Sequence, residues 1–272
     1  MPAGALFHSE FPPQEPDSRR ADIVASWNEQ IAKIASEASR ILAPLSSELR
    51  QALERVYLIE PLRGKELVVS EAGEARSTGR HGQDLLRLLS TLQVRRERPY
   101  ERFRKWAAQF GLHSVESGVQ ADKLDLSALD LNGVAVRMTE FATGSFQGLL
   151  LAAQIILAPS QSVLLIEEPE SNMHPAYEKE LASLFAEGVQ IGQQLVVTTH
   201  SEILVAAVAS LVRLGTLHPD SVAVIELSRD DKGVSGREIP ITTRGLAEWV
   251  RSFTKVEAAL SREWSNGIPE EG

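Results

Sequence analysis

The chain has 272 residues, 43% of them hydrophobic and 24% charged, an ordinary globular composition with enough apolar material for a sizeable core. It has no cysteine, which rules out a disulfide framework and a zinc site built on thiolates. A net charge of −9 argues against non-specific nucleic-acid binding, which phosphate neutralisation drives.

Residues 1–20 hold four prolines and little apolar patterning, so a loose start is expected. They also lack the basic start and apolar stretch of a secretory signal. No run of about 18 apolar residues occurs, so no membrane-spanning helix is expected and the chain is read as cytoplasmic. From Asp22 to about Leu53 the apolar residues Ile23, Trp27, Ile31, Ile34, Ala38 and Ile41 recur at helical spacing, with Pro44 expected to separate two helices. Val56–Ile59 is a short β-like run stopped by Pro61. Residues 63–81 are polar and glycine-bearing, and predict loop. Gln83–Leu92 and Tyr100–Phe110 predict helices. The cluster Arg95, Arg96, Arg98, Arg102, Arg104 and Lys105, interspersed with Glu97 and Glu101, reads as a solvated helical face.

Gly133–Met138 alternates like a strand, and Gln147–Leu157 is an apolar helix ended by Pro159. A regular alternation follows. Val163–Ile166 predicts a strand buried on both faces, Pro175–Gly188 a helix, Leu195–Thr198 a second buried strand, Ser201–Leu214 a helix and Val222–Leu227 a third strand. Such alternation with short connections implies a parallel sheet with right-handed crossovers. Asp230-Asp231-Lys232-Gly233 reads as a hairpin turn before Arg237–Ile241, and Gly245–Trp264 as a helix before a loose end.

The chemistry-bearing residues lie at strand ends. Glu167 and Glu168 follow the strand Val163–Ile166, and ligands of open α/β sheets bind just beyond such carboxyl ends. Adjacent carboxylates suit nucleotide hydrolysis: one holds a hydrated magnesium ion and the other orients or deprotonates the attacking water. Acidic residues also favour the start of a following helix, so the pair alone decides nothing. His200 ends the second strand and is brought near the first by the crossover rule, where an imidazole could contact a terminal phosphate. The plainer reading there is Ser201 capping a helix with His200 a bystander. Thr143-Gly144-Ser145-Phe146-Gln147-Gly148 offers free N–H groups at a helix start, which suit phosphate or a simple cap.

In order, these pieces resemble the carboxyl-terminal half of the ABC-type AAA ATPases, the branch with RecF, chromosome-maintenance ATPases and overcoming-lysogenisation-defect nucleases. Leu164–Pro175 looks like their Walker B strand, catalytic glutamate and D-loop, Val196–Glu202 like their histidine switch, and Ala142–Pro159 like their signature segment. Tyr57–Gly64 and Thr78–Leu89 resemble their linker region. The resemblance implies a parallel-sheet P-loop NTPase fold of ABC type with an α-helical N-terminal region. Its divisions are 1–20 loose, 21–132 mainly helical and linker, 133–250 the ATPase lobe, and 251–272 a C-terminal helix and tail. It further implies ATP and Mg as ligands, Glu167 on the magnesium side through water, Glu168 as catalytic base and His200 as γ-phosphate sensor. Ser171, Asn172 and His174 would form the D-loop toward an opposite subunit. Gly144, Ser145 and Gln147 would meet that subunit's nucleotide.

Two departures matter. No G-x-x-x-x-G-K-[ST] occurs in the sequence, so the lysine and backbone cradle for the β/γ-phosphates are missing. Phe146 also stands in the signature where some relatives have a polar residue. The expectation is an ATPase half that dimerises, as a homo- or hetero-dimer of heads, and is completed by a Walker A-bearing partner or N-terminal half. DNA enters by analogy only. The competing readings are a nucleotide-independent regulatory module and a gene fragment whose half-sheet leaves an exposed edge.

Overall fold

The computed structural model describes residues 18–61, 63–65, 68–71, 73–95, 98–120, 123–231 and 233–267. The expected loose start lies outside the described residues as far as residue 17, as does the end from 268; residues 18–20 are helical. Contacts divide the chain into two units, Met1–Glu54 and Arg55–Gly272.

The first unit is α1 (Ser18–Leu53), one helix of 36 residues. The expected break at Pro44 is absent: the proline sits inside the helix. A proline removes one ladder hydrogen bond and crowds the preceding turn, but good helix formers on both sides, among them Arg40, Leu42 and Ala43 before it and Glu48 to Leu53 after it, carry the helix through.

The second unit opens with β1 (Val56–Ile59) and a largely irregular stretch, then α2 (Leu85–Arg95) and α3 (Arg98–Gln109). Next come β2 (His113–Gln120), β3 (Lys123–Leu129) and β4 (Ala135–Arg137), which form an antiparallel sheet in that order. A 3₁₀ turn at Met138–Glu140 leads into α4 (Thr143–Leu157), β5 (Val163–Glu167), α5 (Pro175–Gln190), β6 (Gln194–Thr198) and α6 (Glu202–Arg213). The chain ends in β7 (Val224–Asp230), β8 (Gly233–Ile239), the short pair β9 (Ile241–Thr242) and β10 (Gly245–Leu246), and α7 (Arg251–Gly267). Among the described residues no helix is long and apolar enough to cross a membrane.

The fold class is the expected α/β with a parallel sheet. That sheet is β1-β5-β6, with Ile59 level with Ile166 and Glu167 level with Thr198. Ile59, Leu164 and Ile166 are buried, and with Leu195 and Val197 they face the core built around α4 and α5. Every residue of α4 from Gly144 to Ile156 is buried, as expected of a helix apolar all round.

Two expectations are corrected here. β5 and β6 are not buried on both faces: Val163 and Leu165 are only half-buried, and Val196 is 49% exposed. The helices cover one side of the sheet, although parallel sheets are ordinarily covered on both. Val222–Leu227 is not a third parallel strand; β7 pairs antiparallel with β8 in a separate hairpin, turning at Asp230, Asp231 and Gly233 as expected. Its apolar Ile225 and Leu227 point outward, and Glu226 faces Arg237 instead.

The Arg237 guanidinium, 2.6 Å away, holds the Glu226 carboxyl down at about 2, helped by the Ser252 N–H at the start of α7. A depressed carboxylate contributes stability above its ordinary value of 4.5 and loses it as pH falls toward the folded value. Acidification from pH 5 to about 2 should therefore loosen the hairpin–α7 junction. Hydrogen exchange of the 251–256 amides should show this, and the acid-dependent part should vanish in Glu226→Gln.

Candidate active site

Parallel pairing of β5 with β6 brings their carboxyl ends to one edge of the sheet. The Glu168 N–H donates to the Thr198 carbonyl at 2.9 Å, which extends the ladder one residue past the last pair. Glu168 then turns into the left-handed region with φ +42°, an unfavourable conformation for a residue with a long side chain. Its carbonyl accepts from the Ser171 N–H at 3.1 Å and from Arg63 Nη2 at 2.8 Å.

The turn points the Glu168 carboxylate across to His200. Glu168 Oε1 stands 3.9 Å from His200 Nε2, and the side chains are 44% and 89% exposed. Ser171 Oγ donates to Glu168 Oε2 at 3.4 Å. Glu170 fixes the other strand end, because its Oε1 accepts from the His200 N–H at 2.8 Å. Glu167 is exposed at the tip of β5. Ser201 caps α6 by accepting from the Leu204 N–H at 2.9 Å and is bonded to the buried Glu178. The capping role of Ser201 and the proximity of His200 to the carboxylate thus hold together.

The remaining candidates gather beside this edge. Asn172 is also left-handed, with φ +62°. His174 caps α5, its Nδ1 accepting from the Ala176 N–H at 3.2 Å, with Pro175 in the first turn. The start of α4 meets this turn backbone to backbone: a Cβ on Gly144 would lie 2.9 Å from the Asn172 carbonyl oxygen. Ser145 is buried, and Gln147, only 1% exposed, donates its Nε2 to the Arg63 carbonyl at 2.6 Å. Neither side chain opens to solvent.

Arg63 is the residue that sequence reasoning missed. It is 4% exposed, and burial lowers its guanidinium to about 10 while Glu170 and Glu168 pull it back up, so it stays charged at neutral pH. The available signal was an arginine in the short run after a strand, Pro61 to Gly64. Lys65 secures that run by donating to the Thr139 and Phe141 carbonyls at 3.1 and 2.6 Å. The basic cluster of α3 is partly engaged: Arg102 is bonded to Glu187 and Arg104 lies 3.6 Å from Glu101. Arg96 and Glu97 lie outside the described residues.

The donor set fits a magnesium ion held largely through water. Among the described residues no group of three or more acidic or histidine ligands forms a cage. The strand end instead offers the exposed Glu167 with Glu168 next to it, and magnesium is commonly held by one or two carboxylates plus waters and substrate phosphates.

The site thus belongs to the class in which parallel strands carry acidic and histidine side chains to one sheet edge. Residues 130–206 match the family model described as "AAA domain, putative AbiEii toxin, Type IV TA system". The match takes in α4, β5, α5, β6 and the start of α6, and so every candidate residue except Arg63. The search of curated proteins finds no match. Among solved structures, the chain is similar to an SMC ATPase from work on ATP-driven dimerization and DNA stimulated activation, at 13% identity and TM-score 0.44, over 63% of this chain and 97% of that one. It is also similar to an SMC head bound to the C-winged helix domain of ScpA, at 14% identity and TM-score 0.46, over 68% of this chain and 55% of that one. A third is the Pyrococcus furiosus SMC head with an extended coiled coil, at 14% identity and TM-score 0.41, over 64% of this chain and 40% of that one.

Proposed function

We propose that the second unit is the hydrolytic lobe of an ABC-type ATPase on a P-loop NTPase fold, with Glu168 as general base. The observation that carries this reading is the placement of Glu168 and His200, from adjacent parallel strands, 3.9 Å apart at an open strand edge. Glu168 takes the proton of the attacking water, and His200, held by Glu170, faces the γ-phosphate. Glu167 holds the magnesium side through water. The bound ion supplies charge neutralisation at the phosphates.

Ser171, Asn172 and His174 form the D-loop toward an opposing head. Gly144, Ser145 and Gln147 form the signature. With both polar side chains turned inward, the signature acts through the unpaired N–H groups of the first turn of α4. The family match over residues 130–206, described as an AAA domain, supports this reading. The phosphate cradle comes from chain outside these 272 residues, and the working form is a pair of heads in the cytoplasm. The second reading, a nucleotide-independent regulatory module, draws on the same missing loop.

The two part on one titration. Mg-ATP added to the purified chain alone should give no binding heat up to millimolar nucleotide, and a chain supplying the phosphate loop should restore it. Tight binding by the chain alone, weakened by Glu167→Ala, would sink the split-site reading. No binding with any loop-bearing chain would favour the regulatory module.

A further inference from the structure

We infer that Arg63 is the positioning residue of the candidate site, clamping Glu168 in its left-handed turn and tying that clamp to the start of α4. The inference rests on the reading of Glu168 as the base.

A glutamate at positive φ persists only where its surroundings over-determine it. Three hydrogen bonds do so here. The bonds to Thr198 and Ser171 belong to the paired strands and to the turn itself. The third, Arg63 Nη2 to the Glu168 carbonyl, comes from the loop after β1 and is the brace from outside. Through its own carbonyl the same residue accepts from Gln147 Nε2. One residue thus spans both candidate segments, Glu168 by its side chain and α4 by its backbone.

The brace is costly to folding, which argues that it serves something else. Arg63 Nε and Nη1 are buried with no hydrogen-bond partner among the described residues, and so are Gln147 Oε1 and Glu170 Oε2. Native interiors pair nearly all such groups, and each exception calls for an explanation. Even with Glu170 and Glu168 nearby, a buried cation with one neutral hydrogen-bond acceptor often stabilises a fold no more than an apolar side chain of similar volume. A leucine would fill the space. It would give the Glu168 carbonyl no second donor and leave the Glu170 carboxylate without a facing charge.

Amide hydrogen exchange on the full chain tests the clamp without nucleotide. In Arg63→Ala, exchange at Ser171 and His200 should quicken roughly ten- to a hundredfold, the loss of one charged hydrogen bond, with Leu164 and Leu165 unchanged. Millimolar guanidinium should restore the protection. Arg63→Lys should give a smaller change at the same two amides and stands in if Arg63→Ala fails to fold. Unchanged Ser171 and His200 amides, or equal acceleration throughout β5 and α5, would overturn the clamp. In the assembled ATPase, Arg63→Lys should lower kcat about tenfold or more with KM for ATP little changed. Full turnover in Arg63→Lys, where Glu168→Gln is dead, removes the clamp and leaves the base standing. Full turnover in Glu168→Gln, with exchange still altered in Arg63→Ala, removes the base and leaves the clamp.

Discussion

Replacing Glu168 by glutamine in the assembled ATPase should lower turnover by about 10²- to 10⁴-fold, the usual contribution of a positioned general base. Glutamine keeps the size of the side chain and the backbone N–H that reaches Thr198. It presents an amide in place of the carboxylate 3.9 Å from His200. The folded structure and nucleotide affinity should therefore survive while kcat falls, which marks an interaction made in the transition state. Steady-state phosphate release gives the number. Turnover within a few-fold of the parent would take Glu168 out of the reaction.

Phe146→Ala should destabilise the second unit by about 3–5 kcal/mol, the range for removing a fully buried aromatic side chain. Phe146 is 0% exposed in a helix whose every residue from Gly144 to Ile156 is buried. The neighbourhood has little room to collapse into the gap. Already at Gly148 an added Cβ would lie 2.2 Å from the Phe110 ring. Urea unfolding followed by fluorescence should show the shift, and a loss below about 1 kcal/mol would mean that the site repacks. At this position the helix points into the core.

The strand ends were legible because their signals are local. Four apolar residues followed by Glu167 and Glu168, and three followed by Thr198 to Ser201, announce a strand and mark the candidate residues at its end. Register then follows from parallel pairing. β3 alternates, with Leu124, Leu126 and Ala128 inward between Lys123, Asp125 and Ser127, and was overlooked. β2 was illegible because Val115 is its one buried apolar residue among those described and the register shifts between His113 and Glu116. β7 misled in the opposite direction. Its apolar residues look like a core strand, but the Glu226–Arg237 pair takes the inner face of the hairpin and leaves Ile225 outside. Arg63 was illegible as a site residue because its role is set by contacts 84 and 105 positions away, with Gln147 and Glu168.

The contact between Gly144 and Asn172 bears on how a second head would be recognised. The start of α4 and the turn after β5 touch through main chain, with space for no side chain at Gly144. An approaching molecule would meet a single preformed relief, not two loops to be ordered separately, and so would lose less freedom on docking. Discrimination between a matching and a mismatched head would then rest on shape. A bulky residue grafted at position 144 would blur that shape, even with every charged group of the edge still in place.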